Sequence, residues 1–288
     1  MSAPRLFLSL FATTFFAFTL CVHAQTQATC TFTYFNPPSG YTGDFWPTGI
    51  NHYNTVVGGV DTTVANNLEK GFTRYSGGSV SLFTVPNAIF TQLNKRNLNG
   101  TSVGYYDTNG GAYTHGLILT SSSYTTLDYP KALSTALNGI NKWNVIVGTE
   151  VDPATTGQVG FKYQNNNFTP IEYPGAVQTS ITSINDNGVI VGGYEKGSFE
   201  NPWSGYILQN GVFKSLSYIP LDINNAGTMV DGQNIHFSNG TVKKVVVPGA
   251  FEDFVRGIND LGVITGSANY GPNSQGNFTW KGFTAVCH

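Results

Sequence analysis

Three groups of residues in this chain have types and spacings that could do chemistry. The stretch "SINDNGVIVGGY", Ser183 to Tyr194, sets Asn185, Asp186 and Asn187 beside Gly188. That composition suits a cation or phosphate loop, and equally a tight turn between two strands. Glu195 and Glu200 follow at once, and paired carboxylates are what acid–base cleavage of a glycosidic bond requires. Cys30 and Cys287, one near each end, could form a disulfide. Beyond these the chemical motifs are missing: there is no HExxH or HxH pattern around the histidines. No DxDxDG run occurs, and a bound calcium needs about six or seven oxygen ligands. No catalytic residue, metal ligand or cofactor is therefore assigned.

What must position these residues is a repeat. "GINHYNTVVGG", "KRNLNGTSVGY", "GINKWNVIVGT", "SINDNGVIVGG", "DINNAGTMVDG" and "GINDLGVITGS" align beneath one another. Their anchor asparagines are Asn51, Asn97, Asn141, Asn185, Asn224 and Asn259, spaced by 46, 44, 44, 39 and 35 residues. A glycine follows seven residues later in five copies (Gly58, Gly104, Gly148, Gly192, Gly266), and Asp231 takes that place in the fifth. Pro86, Pro130, Pro174 and Pro248 each precede their anchor by eleven residues. A glycine before an aromatic or apolar residue recurs in "KGFTRY", "HGLIL", "VGFKY" and "SGYIL", and His236 stands at that place in the fifth copy.

Each copy divides into four short strands. The first ends at the anchor, the Asn/Asp/Gly turn reverses the chain, and the β-branched run "VIVGGY" is the second. A loop of variable length leads to the third strand, and a short turn to the fourth. No apolar stretch has the helical period. The expected fold is all-β: a β-propeller of about six four-stranded blades. A β-helix is the competing architecture, and it would favour shorter coils. The segment "FTYFNPP", Phe32 to Pro38, matches "FTPIEYP" and reads as a displaced fourth strand; "FTAVCH" at the C-terminus reads as the fourth strand of the sixth copy. Pairing of these two would close the ring and bring Cys30 to Cys287.

Composition sets the setting. Residues 1–24 read as a signal peptide, with Arg5, the apolar run "LFLSLFATTFFAFTL" and cleavage near Ala24–Gln25. That leaves 25–288 as one propeller domain, secreted or periplasmic, where two cysteines can pair. Without Arg5, thirteen basic residues face sixteen acidic ones, a net charge of −3. This gives no electrostatic footprint for nucleic acid, and no later run is long enough to span a membrane. A monomer is expected.

The "GINDxGxIVGxY", "HGL"/"SGY" and "FTxLDYPGA" elements resemble the bacterial extracellular repeats called the HAF family, over essentially all of residues 30–288. The resemblance implies a secreted repeat protein of propeller fold. It implies no established reaction and carries over no catalytic residue.

Residues shared by all copies serve folding, whereas residues unique to one copy are free to serve a site. By that test the anchor asparagines are structural, and the unlike residues gather in the loops between second and third strands: Asp107, Tyr113, Asp152, Glu195, Glu200, Trp203 and Tyr270. These loops share a face with the proline-containing connections, and aromatic, amide-rich loops suit sugars. The expected function is a binding or interaction scaffold for a glycan, a cell-envelope ligand or an extracellular protein. The alternative is a propeller enzyme acting on polysaccharide, with loop carboxylates as acid and base.

Overall fold

The computed structural model describes residues 26–41, 43–61, 69–108, 110, 113–197, 202–272 and 278–288. The expected signal peptide, 1–24, lies outside them. The described chain is all-β with no helix, in a propeller-like arrangement of antiparallel sheets.

The third copy shows the plan. Ser134–Ile140, Ile146–Val151, Gln158–Gln164 and Asn167–Ile171 pair antiparallel in sequence order. The fourth copy repeats it with Gln178–Ile184, Ile190–Glu195, Ser204–Gln209 and Val212–Leu216. The first and second copies each make such a quartet, and one parallel bridge, Glu69 to Phe90, merges them into an eight-stranded sheet. In the sixth copy Glu252–Ile258, Val263–Pro272 and Phe278–Cys287 are followed in the sheet by Cys30–Phe35 from the N-terminus. "FTAVCH" is thus the end of the third strand, not a fourth strand as its sequence suggests. Gly282 and Phe283 supply the glycine–aromatic element, and the displaced N-terminal segment supplies the fourth strand. Cys30 lies opposite Cys287 in that register, and the two form a disulfide with Cα atoms 4.1 Å apart.

The recurrent residues have physical reasons to recur. The residue three after each anchor (Asn54, Gly100, Asn144, Gly188, Gly227, Gly262) has φ between 56° and 84°, a left-handed conformation that asparagine and glycine tolerate best. Each anchor is buried, and its Oδ1 accepts the backbone N–H groups two and four residues ahead at 2.9–3.1 Å. Gly148 is obligatory: a Cβ there would lie 2.3 Å from the Ala136 carbonyl oxygen and 2.6 Å from the Phe161 ring. "SINDNG" is therefore a turn, and Asp186 accepts the Lys142 backbone N–H of the preceding copy at 2.8 Å.

Each anchor also donates from Nδ2 to the backbone carbonyl of the next one. Asn51 reaches Asn97, Asn97 reaches Asn141, and the series passes through Asn185, Asn224 and Asn259 back to Asn51, at 2.9–3.4 Å. The core is correspondingly distributed. Separate apolar clusters join neighbouring sheets, for instance Val147 and Ile171 of the third copy with Ile181 and Ile184 of the fourth.

The fifth copy departs from the plan. Its strands Asp222–Ile223, Met229–Val230, Asn234–His236 and Val242–Lys244 hold two or three residues each, and Thr26–Gln27 adds a parallel fifth strand. Asp231, standing where the other copies have glycine, accepts from Asn234 and Gln233 and bonds His236 Nε2 at 2.6 Å. The His236 ring stacks on Tyr218 at 3.5 Å.

Candidate functional site

Five copies carry a β-bulge at one place, three residues before the anchor. A bulge re-aims the extra side chain, and here Thr48, Asn94, Asn138, Thr182 and Arg256 all line one cavity of about 240 Å³. Four of them bond the next copy: Thr48 Oγ1 donates to Leu93 O (2.6 Å), Asn94 Nδ2 to Leu137 O (3.0 Å), Asn138 Nδ2 to Ile181 O (2.7 Å) and Thr182 Oγ1 to Pro220 O (2.6 Å). Leu221 and Arg256 occupy the same place and break the pattern.

One residue nearer the anchor the chain has Gly49, Gly139 and Gly257 in three copies and Lys95, Ser183 and Asp222 in the others. Lys95 and Asp222 form an ion pair with side chains only 12% and 3% exposed. Asp222 Oδ1 also accepts Ser183 Oγ (2.6 Å) and Ile223 N, and its Oδ2 accepts Ile258 N (2.9 Å). The pair joins the second copy to the fifth, 127 residues apart in the chain. Lys95 borders both the larger cavity and a smaller one, about 50 Å³, among the anchor turns. Removing either partner would strand a buried charge, a change that costs about 3–5 kcal/mol.

Arg256 is differently placed. Its guanidinium lies 4.6 Å from the Phe254 ring centroid, and its buried Nε has no hydrogen-bond partner among the described residues. Burial lowers its pKa, with opposing influence from Glu252 and Tyr105, but an arginine stays charged. Burial pushes the Tyr105 hydroxyl up to about 12, with Glu69 adding and Arg256 opposing. Burial, with Asp61 nearby, pushes Glu69 up to about 9, so its carboxyl is protonated at neutral pH.

None of the loop residues singled out in the sequence lines this cavity. Asp107 and Glu195 are buried at strand ends, and Glu195 Oε2 accepts Gln178 Nε2 at 2.7 Å. Asp152 Oδ1 accepts Ala154 N and Thr155 N, folding its own loop. Trp203 is half-buried with its ring against Gly193, where a Cβ would lie 3.0 Å away. Tyr270 meets Tyr34 edge-on and carries the Lys281 ammonium 5.0 Å over its ring; burial and Tyr34 push its hydroxyl up to about 12. Tyr113 is exposed, and Glu200 lies outside the described residues. The seven come from four different copies. Among the described residues no three of His, Cys, Asp or Glu gather as a metal site would.

Sequence reasoning overlooked Lys95, Ser183, Asp222 and Arg256. Their signal was present: in "TGIN", "NGIN" and "RGIN" against "NKRN", "TSIN" and "LDIN", the unlike letters fall at the two positions before "IN".

No protein-family model and no curated protein matches the sequence. Among solved structures the fold is similar to a protein of unknown function from Dyadobacter fermentans, with TM-score 0.54 and 10% identity over 89% of this chain and 98% of that one. TolB from Acinetobacter baumannii aligns at TM-score 0.48 with 8% identity, over 90% of this chain and 66% of that one. A mutant of AofleA from Arthrobotrys oligospora aligns at 0.49 with 10% identity, over 90% and 93%. At such identities a likeness concerns the fold alone.

Proposed function

We propose that the chain is an exported binding scaffold of the HAF-repeat type for a glycan or cell-envelope ligand. In this reading it is a monomeric propeller of six four-stranded blades, closed where the N-terminal strand completes the last blade. The anchor series, which runs through six copies and returns to Asn51, supports the blade count. The pairing of Cys30–Phe35 with Phe278–Cys287 supports the closure. A disulfide, together with no helix among the described residues long and apolar enough to cross a membrane, is consistent with an extracellular or periplasmic site.

One observation carries the binding reading. The recurrent anchor asparagines are consumed in holding copies together, while the residues that differ between copies, among them Lys95, Asp222 and Arg256, line one shared cavity. A rigid ring with a variable lining is how a scaffold presents a site. Of the loop carboxylates, Glu195 is buried and Asp152 is committed to its own loop, and Glu200 lies outside the described residues.

The test is an array of bacterial and fungal glycans and envelope polysaccharides probed with the exported chain. Binding should appear and fall about tenfold in Trp203→Ala or Tyr270→Ala, a loss typical of an aromatic anchor. No binding to any glycan or envelope fraction would sink the reading. So would turnover of a polysaccharide that Glu195→Gln or Asp152→Asn abolishes, because the chain would then be an enzyme.

A further inference from the structure

The cavity asks for a ligand of particular chemistry. Its two cations are not equivalent: Lys95 is neutralised by Asp222, whereas Arg256 borders the cavity with Nε unpartnered. The bulge that elsewhere presents a residue bonded to the next copy here presents a guanidinium, and Phe254 lies against that plane. Glu252, exposed at the strand's start, acts on Arg256 through its field. A fork of donors of this kind matches a carboxylate.

The remaining wall is complementary to hydroxyl groups. Thr48, Asn94, Asn138 and Thr182 spend donor hydrogens on carbonyls of the next copy. What they can offer a ligand is therefore chiefly oxygen lone pairs, which accept from hydroxyls. Tyr105 stays protonated at neutral pH and supplies one further donor at the wall. The cavity, about 240 Å³, is smaller than the roughly 300 Å³ where pockets begin to take drug-sized molecules. It fits one sugar ring.

We propose that the cavity behind the Lys95–Asp222 pair binds a single acidic sugar residue, its carboxylate on Arg256 and its hydroxyls on the threonine and asparagine oxygens. The inference rests on the binding reading and deepens it, since it names a ligand class and a place for it, but it uses neither of the loop residues Trp203 and Tyr270.

Calorimetric titration with glucuronate, galacturonate and the methyl ester of glucuronate tests it. The exported chain should bind a uronate at least tenfold more tightly than the uncharged ester. Arg256→Leu, which copies the Leu221 already tolerated at the same place, should lose at least tenfold. Arg256→Gln serves as a second variant with a polar side chain, judged beside an unchanged thermal midpoint. Failure of both uronates to bind, equal affinity for the ester, or undiminished binding by the folded Arg256 variants would each overturn the proposal. Trp203→Ala should keep full uronate affinity. Loss of uronate binding there would overturn the cavity assignment, whereas loss of polysaccharide binding alone would overturn the glycan-loop reading and leave the cavity assignment standing.

Discussion

The third and fifth copies begin from the same anchor and reach a sheet by different means. In the third, strands of seven, six, seven and five residues pair fully, and Gly148 lets the second strand pass beneath Phe161. In the fifth, Asp231 replaces that glycine, His236 replaces the glycine of the third strand, and the strands shrink to two or three residues. Position is held there by Asp231 bonded to His236, by His236 stacked on Tyr218, and by a lone bridge from Gly232 to Val255 of the sixth copy. Yet Asn224 keeps both accepted N–H groups and its donation to Asn259, as Asn141 keeps its own. The close glycine–aromatic packing is replaceable by a polar cluster, and the anchor is not.

The largest effect should come from the strand that the sixth copy borrows. Replacing Cys30 and Cys287 by serine opens a cross-link across 257 residues, worth roughly 5 kcal/mol in loop-entropy models. Thermal unfolding should fall by about 10 °C or more, and reductant should change the wild type alone. Next come the anchors: Asn141→Ala and Asn224→Ala each remove three bonds and strand two backbone N–H groups, about 3 kcal/mol apiece. Denaturant titration should find the two losses alike, and a fifth-copy loss under a third of the other would refute the equality. Gly148→Ala should cost about 2 kcal/mol through overpacking, while Asp231→Ala in the same register should create no clash and lose only its bonds.

The smallest effect is a pH dependence confined to the fifth copy. Burial pushes the Asp231 carboxyl up, but hydrogen bonds from His236, Asn234 and Gln233 outweigh it and hold the pKa at about 2, against an ordinary 3.8. Because the folded value is depressed, the stabilisation is present above pH 3.8 and disappears as pH falls toward 2. Wild type should lose about 1 kcal/mol in that interval, discounted for partial solvent screening. Asp231→Asn should lack this part of the acid limb, and identical limbs would show that the cluster is not ionic.

Much of this was legible because turn chemistry is local. The asparagines and glycines three residues past each anchor announce left-handed backbone, and the β-branched runs after them announce strands. The bulge was not legible: strict alternation would turn Asn94 and Arg256 away from the side they line, and only pairing partners shift the register. The sixth copy misled for a related reason, since its C-terminal strand has the ten residues Phe278–Cys287 and its end resembles a separate strand. Asp107 and Glu195 read as loop starts in the sequence and finish buried strands. Lys95, Asp222 and Arg256 differ from their counterparts at the second and third positions before the anchor, inside a strand rather than in a loop.

The anchor series has a direction. Every anchor asparagine gives an amide hydrogen to the backbone carbonyl of the next anchor and none gives it back. Each anchor gives one such bond and receives one, so the series has no terminal member. The polypeptide's starting point is accordingly arbitrary with respect to this circuit. Joining the present ends and cutting at another proline connection, for example beside Gly175, would renumber the copies while leaving each donor facing the acceptor it has now.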